Sequence, residues 1–281
     1  MRVLAVQPGP VLLTPSGPLK KRVCRLSVLA PLLMLVLGAG LCRPAVGQKS
    51  NPPDQRPSVQ PNTPQLNADQ VVQNLVRMNM ERAEALQAYQ STRVYRLEYK
   101  GFPGGREAEM VVNVKYRAPG TKEFEIVSET GSKLLIDRVF KKLLQGEQEA
   151  LEVESQKRIA INQDNYEFTM IGYEAGSYVL TVKPRTKNKF LFQGRIWVDA
   201  EHFAVVRIAV EPAQKPSFWI KDTKIETLYV NVNDFWLPAH NHSLTAVRLG
   251  GHADFTIEYK DYRITAARQP NRISSNAGPG R

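Results

Sequence analysis

Val94-Tyr95-Arg96-Leu97-Glu98-Tyr99-Lys100 puts Tyr95, Leu97 and Tyr99 on one side of an extended chain and Val94, Arg96, Glu98 and Lys100 on the other. That period of two marks a half-buried strand. Pro103-Gly104-Gly105 offers a turn, after which Met110, Val112, Val114 and Tyr116 alternate with Asn113, Lys115 and Arg117. Pro119-Gly120 suits a type II turn leading to Phe124 and Ile126. Three consecutive antiparallel strands are expected here.

The alternation then breaks. From Leu134 to Gln145, the apolar residues Leu135, Ile136, Val139, Phe140, Leu143 and Leu144 recur in adjacent pairs every three or four positions, with Asp137, Arg138, Lys141 and Lys142 between them. This is a helix with a wide apolar stripe, so it must cover something apolar. Gly146 is a possible kink, and Glu147 to Glu154 can continue as a more polar helix. After Asn165 the period of two returns and holds to Tyr262, with turns at Glu174 to Ser177, Asp199 to His202, Asn233-Asp234 and Gly250-Gly251. The whole reads as about ten strands in one meander.

Upstream, Asn67-Ala68-Asp69-Gln70 supplies N-cap residues before Val71, Val72, Leu75, Val76, Met78, Ala83 and Leu86, a helical pattern running to about Tyr89. Residues 48–65 hold five prolines among Asn, Gln, Ser and Asp and read as an unpacked leader. The tail, residues 266–281, reads as unstructured. Residues 66–265 are therefore the expected domain.

At the N-terminus, Lys20, Lys21, Arg22 and Arg25 precede an apolar run from Leu26 to Leu41, and Ala45 and Gly47 are small. These are the parts of a secretory signal, residues 1–47, with cleavage expected after Gly47. The run contains Pro31 and falls short of the roughly 20 residues a spanning helix needs. The full chain has 281 residues and a formal charge of +11. Removing six of its 38 Lys and Arg with the signal, and none of its 27 Asp and Glu, leaves 32 against 27, or +5. With no dense basic stripe interleaved with aromatics, a nucleic-acid partner is not expected. Both cysteines, Cys24 and Cys42, lie inside the signal, so the exported chain has no disulfide and no thiolate metal site. Leu41 before Cys42, and Ala39 three before it, depart from the signal that directs acylation of a cysteine. A soluble periplasmic protein is expected in preference to one lipid-anchored at Cys42.

An antiparallel sheet of about ten strands curls as its twist accumulates. The expected fold class is α+β, mainly antiparallel β: a β-barrel or unclosed half-barrel with amphipathic helices as lid or plug. Barrels of this kind enclose apolar ligands, while helices can also simply complete a solid core, and pattern alone divides the two evenly.

A set of local motifs resembles a known family: Asn165-Tyr166-Glu167-Phe168, Tyr178-Val179-Leu180 with Pro184-Arg185, Phe192-Gln193-Gly194-Arg195-Ile196-Trp197-Val198-Asp199, Arg207-Ile208, Glu211-Pro212, Ser217-Phe218-Trp219 and Phe235-Trp236-Leu237-Pro238. They are similar to bacterial outer-membrane lipoprotein-sorting proteins of the LolA/LolB/RseB-like superfamily, over about Leu66 to Tyr262. The resemblance implies a LolA-like unclosed barrel with helices over a cavity that holds acyl chains. Its carriers take the acyl chains of lipoproteins from an inner-membrane transporter and deliver them to an outer-membrane receptor. RseB-like relatives instead sense lipid or a partner protein. The expected function is therefore an exported lipid or lipoprotein carrier, with an envelope sensor as the alternative.

The expected wall of the cavity is Leu97, Tyr99, Val112, Val114, Phe124, Ile126, Phe168, Leu180, Ile196 and Val198, and the expected lid is Ile136, Phe140 and Leu144. Trp197 points opposite to Ile196 and Val198 and is expected outside the cavity. Arg195 and Arg207 are candidates to hold a lid carbonyl or an anionic headgroup, since an inward charge needs a partner. His240 and His242 share a strand face that His252 can approach, but no carboxylate stands at ligand spacing and no metal is expected. The chain contains no G-x-S-x-G elbow, H-E-x-x-H helix or P-loop, so neither catalysis nor a cofactor is expected.

Overall fold

A computed structural model of the protein describes residues 66–102, 104–214, 220–248 and 250–266. The expected signal and leader, the tail beyond Ala266 and the motif Ser217-Phe218-Trp219 lie outside the described residues.

Helix α1 spans Ala68–Ala85 and opens on a capping box: the Asn67 side chain accepts from the Gln70 amide at 2.9 Å and the Gln70 side chain accepts from the Asn67 amide at 2.9 Å. Its apolar stripe buries Val71, Val72, Leu75 and Met78. The helix ends at Ala85, short of the expected Tyr89, because Leu86 turns extended and starts strand β1 (Leu86–Gly101). Tyr89 pairs with Ile264 and with Tyr116 on neighbouring strands, so ladder hydrogen bonds and ring packing outweigh the local helical period there.

Strands β2 (Arg106–Arg117) and β3 (Thr121–Gly131) complete the expected trio. The turn between them holds a cis Ala118–Pro119 peptide in place of the expected type II geometry. Helix α2 (Lys133–Leu135), a π-helical turn (Ile136–Phe140) and α3 (Lys141–Ala150) then run on without a break, and Gly146 sits inside α3. Helix α4 (Val153–Ile159) follows. Seven strands close the domain: β4 (Tyr166–Glu174), β5 (Ser177–Pro184), β6 (Phe192–Asp199), β7 (Val205–Pro212), β8 (Ile220–Val232), β9 (Phe235–Val247) and β10 (Gly251–Ala266).

The ten strands form one antiparallel sheet in the order β3-β2-β1-β10-β9-β8-β7-β6-β5-β4. Strand β1 pairs with β10 from Leu86↔Ala266 to Gly101↔Gly251, so the sheet is not a simple meander: its two edges are β3 and β4. The sheet is unclosed, and the chain that crosses from one edge to the other is the helical segment α2 to α4. Two tight hairpins carry left-handed residues, Ala175-Gly176 (φ 47° and 78°) and Asn233-Asp234 (φ 52° and 68°), the geometry that matches strand twist.

The inner face is covered in two parts. Helices α2 and α3 with the π turn pack on β1, β2, β9 and β10, and α1 packs on β4 to β8.

Candidate functional site

The expected wall divides between these two parts. Leu97, Val112 and Val114 are buried in one cluster with Ile136, Phe140 and Leu144, and Phe124 packs against its margin. Leu180, Ile196 and Val198 are buried in the other, with Phe168 at its margin, and their cover is Val71, Val72 and Leu75 of α1. The segment expected as lid therefore lies over only half of the expected wall. Tyr99 is half-buried and donates its hydroxyl to the Phe102 carbonyl at 2.9 Å. Ile126 pairs with Val112 across β2 and β3, yet it is 41% exposed because β3 is an edge.

Between the two clusters the facing positions of β8 and β9 are mostly small and polar: Thr223 opposite Thr245, Ile225 opposite Ser243, Thr227 opposite Asn241. All six are buried, and four of them bond in pairs: the Thr223 and Thr245 hydroxyls lie 3.0 Å apart, and the Asn241 amide donates to Thr227 at 2.7 Å.

Beneath α3 lies a cluster of charged groups that is not among the expected site residues. Glu147 is buried and receives Arg93 of β1 bidentately, at 2.7 and 3.2 Å, and Lys122 of β3 at 2.5 Å. Arg93 and Lys122 are also buried. The guanidinium faces the rings of Tyr259 at 5.0 Å and Phe124 at 6.0 Å, and the ammonium faces Tyr89 at 5.8 Å. Burial pushes the Glu147 carboxyl up, but Arg93 and Lys122 outweigh it and hold the group at about 2, below its ordinary 4.5. In the same way burial lowers Arg93 and Lys122, and Glu147 reverses the direction in both. All three groups are charged at neutral pH. The sequence signal for them is a charge at an inward position: Glu147 continues the stripe of Leu143 and Leu144, Arg93 shares parity with Tyr95 and Leu97, and Lys122 with Phe124.

The two helical covers are anchored differently. The Arg82 guanidinium at the end of α1 donates to the backbone carbonyls of His202 and Phe203 and lies 4.7 Å from the Trp236 ring, tying α1 to the β6–β7 turn. Burial lowers Arg82 to about 10, still charged at neutral pH. At the start of α2, Ser132 makes no side-chain cap, and the polar hold on the segment passes through Glu147, through Lys141, which reaches Glu129 of β3 at 3.1 Å, and through Glu149, which Lys189 reaches at 2.7 Å.

Arg195 and Arg207 correct an expectation: both are exposed on the outer face, flanking Trp197 with guanidinium-to-ring distances of 5.5 and 4.5 Å, and Arg207 pairs with Glu226. Strand parity places them there, since Trp197 and Arg207 are direct partners. Trp197 does face away from Ile196 and donates its indole N–H to Glu174. His242 contacts Asp254 at 3.0 Å, while His252 pairs with Ala246, away from His240. Among the described residues no three His, Cys, Asp or Glu side chains cluster at metal-binding distance, and no helix is long and apolar enough to cross a membrane. A groove of about 560 Å³ lined by Val76, Met80 and Gln163 lies on the solvent side of α1 and includes none of the expected wall or lid residues.

The described chain is a half-barrel with a helical cover. No protein-family model matches it, and no curated protein does. Solved structures do. It is similar to a putative outer-membrane lipoprotein-sorting protein domain from Vibrio parahaemolyticus, with 12% identity over 74% of this chain and 97% of that one and a TM-score of 0.37. It is also similar to a DUF1329 family protein from Desulfovibrio piger, with 13% identity over 72% and 95% and a TM-score of 0.35. A LolA superfamily protein from Nitrosomonas europaea shares 9% identity over 72% and 94%, with a TM-score of 0.30. The first and third of these descriptions carry names of the family that the sequence motifs resemble. All three TM-scores lie below 0.5, so the geometry of the described residues alone carries the functional reading.

Proposed function

We propose that the protein is a periplasmic lipid- or lipoprotein-binding carrier that holds acyl chains against the inner face of the half-barrel and takes part in outer-membrane lipoprotein sorting. The observation that carries this reading is the way the segment Lys133–Ala150 is mounted. It begins the crossing between the two unpaired edges of an open sheet, rests on the wall through Ile136, Phe140 and Leu144, and is held by a charged latch at Glu147. Near its start is a π-helical turn, a form frequently found at functional sites. An apolar contact offers no directional resistance to exchange, so acyl chains can replace Ile136, Phe140 and Leu144 on Leu97, Val112 and Val114 once the segment lifts. Under α1 the wall residues Leu180, Ile196 and Val198 form a second apolar surface, set apart from the first by the buried polar positions of β8 and β9.

Native mass spectrometry of the protein purified from its own cell envelope tests the reading. A co-purifying acylated molecule, released when Phe140 is replaced by Asp, is expected. Protein that carries no acylated molecule and instead captures an envelope regulator contradicts it and supports a sensor.

A further inference from the structure

Two buried cations share one carboxylate. The groups acting on Arg93 are Glu147 and the tyrosines Tyr95, Tyr259 and Tyr89, and those acting on Lys122 are Glu147, Tyr89 and Arg93 itself. One positive charge is thus left over among aromatic rings, where an uncompensated charge is costly. Three buried donors beside it have no hydrogen-bond partner: Arg93 Nε, the Ser91 hydroxyl and the Tyr116 hydroxyl. Ser91 and Arg93 are successive inward positions of β1, and Tyr116 pairs directly with Lys122 across β2 and β3, so the donors ring the same patch of wall. Among the described residues, the one buried carboxylate at this patch arrives on α3, the cover, and not on the sheet.

We propose that Arg93 and Lys122 are a binding site for the anionic group, phosphate or carboxylate, of an amphiphilic ligand, and that Glu147 occupies this site in its place when the cover is closed. The ligand's anion displaces the Glu147 carboxylate, its remaining oxygens take the open donors, and α3 is released in the same exchange. A phosphate suits the patch better than a single carboxylate because it brings more charge and more acceptors. This inference rests on the acyl-carrier reading and names the headgroup chemistry that reading leaves open.

The test measures binding of three probes to the purified protein: dodecyl phosphate, dodecyl maltoside with the same chain and no charge, and inorganic phosphate without a chain. The wild type is expected to bind dodecyl phosphate about tenfold more tightly than dodecyl maltoside. Glu147→Gln is expected to widen that ratio about tenfold further, since the competing carboxylate is gone. Lys122→Met/Glu147→Gln removes one charge of each sign, keeps the net charge of the cluster and is expected to return the ratio toward one. On wild-type protein, amide hydrogen exchange across Lys133–Ala150 is expected to rise with dodecyl phosphate and much less with dodecyl maltoside. Equal affinity for the two amphiphiles in wild type and in Glu147→Gln overturns the anion site and leaves the carrier reading standing. Failure of both amphiphiles to bind overturns the two together. Inorganic phosphate that binds as tightly as dodecyl phosphate shows a free-anion site and overturns the proposed amphiphile.

Discussion

Glu147 sits where the apolar stripe of its helix calls for another Leu, and its two partners come from strands on the far side of the same cluster. Removing the carboxylate leaves two buried cations without compensation, so Glu147→Gln is expected to cost about 3–5 kcal/mol at neutral pH, read from the midpoint of urea unfolding. The pH dependence has a definite sign. The folded carboxyl is depressed to about 2 from 4.5, so its stabilisation is complete above 4.5 and lost as pH falls towards 2. The difference between wild-type and Glu147→Gln stability is therefore expected to shrink by about 3 kcal/mol over that window, and a difference that stays flat contradicts the assignment. These three residues were legible as charges breaking an apolar period. Their convergence was not, because most Lys, Arg and Glu in the strands face solvent, and only the packing of β1, β3 and α3 brings the three together.

At the scale of elements, the two covers answer differently to the same insult. Helix α1 is capped at its start, held by Arg82 at its end and packed by Leu75 on Leu180 and Ile196. Leu75→Asp is expected to unfold the domain. Phe140→Asp is expected to lower retention of a bound acyl chain more than it lowers the unfolding midpoint, while Phe140→Ala costs about 3–5 kcal/mol if the position is only core. Equal loss of folding and of ligand retention in Phe140→Asp supports a solid interior. The amphipathic stripe, the strands and their hairpins were readable from local periodicity, Asn67-Gln70 included. The early end of α1 was not, because Leu86 and Tyr89 continue the helical period and only the β10 and β2 neighbours turn them into strand.

For the whole molecule, the decisive feature is where the sheet fails to close. A plain meander places its ends at the first and last strands, whereas here β1 and β10 pair and the edges are β3 and β4, on either side of the helical crossing. That pairing joins residues far apart in the chain and leaves no local trace in sequence. Close approach of strands within the sheet is visible at Gly194, where φ is 141° and a Cβ would lie 2.5 Å from the Ala209 carbonyl oxygen. Gly194→Ala is expected to destabilise by about 1–3 kcal/mol by thermal unfolding. Apolar side chains also remain on the outer face, Leu228 and Leu244 among them, and they offer a rival surface for a lipid. Photo-crosslinking with a diazirine-bearing palmitate, mapped by mass spectrometry, separates the two surfaces. Labels on the inward residues of β1, β2 and β6 and on Lys133–Ala150 are the result expected; labels confined to Leu228, Val230 and Leu244 would contradict a ligand held beneath the helical cover.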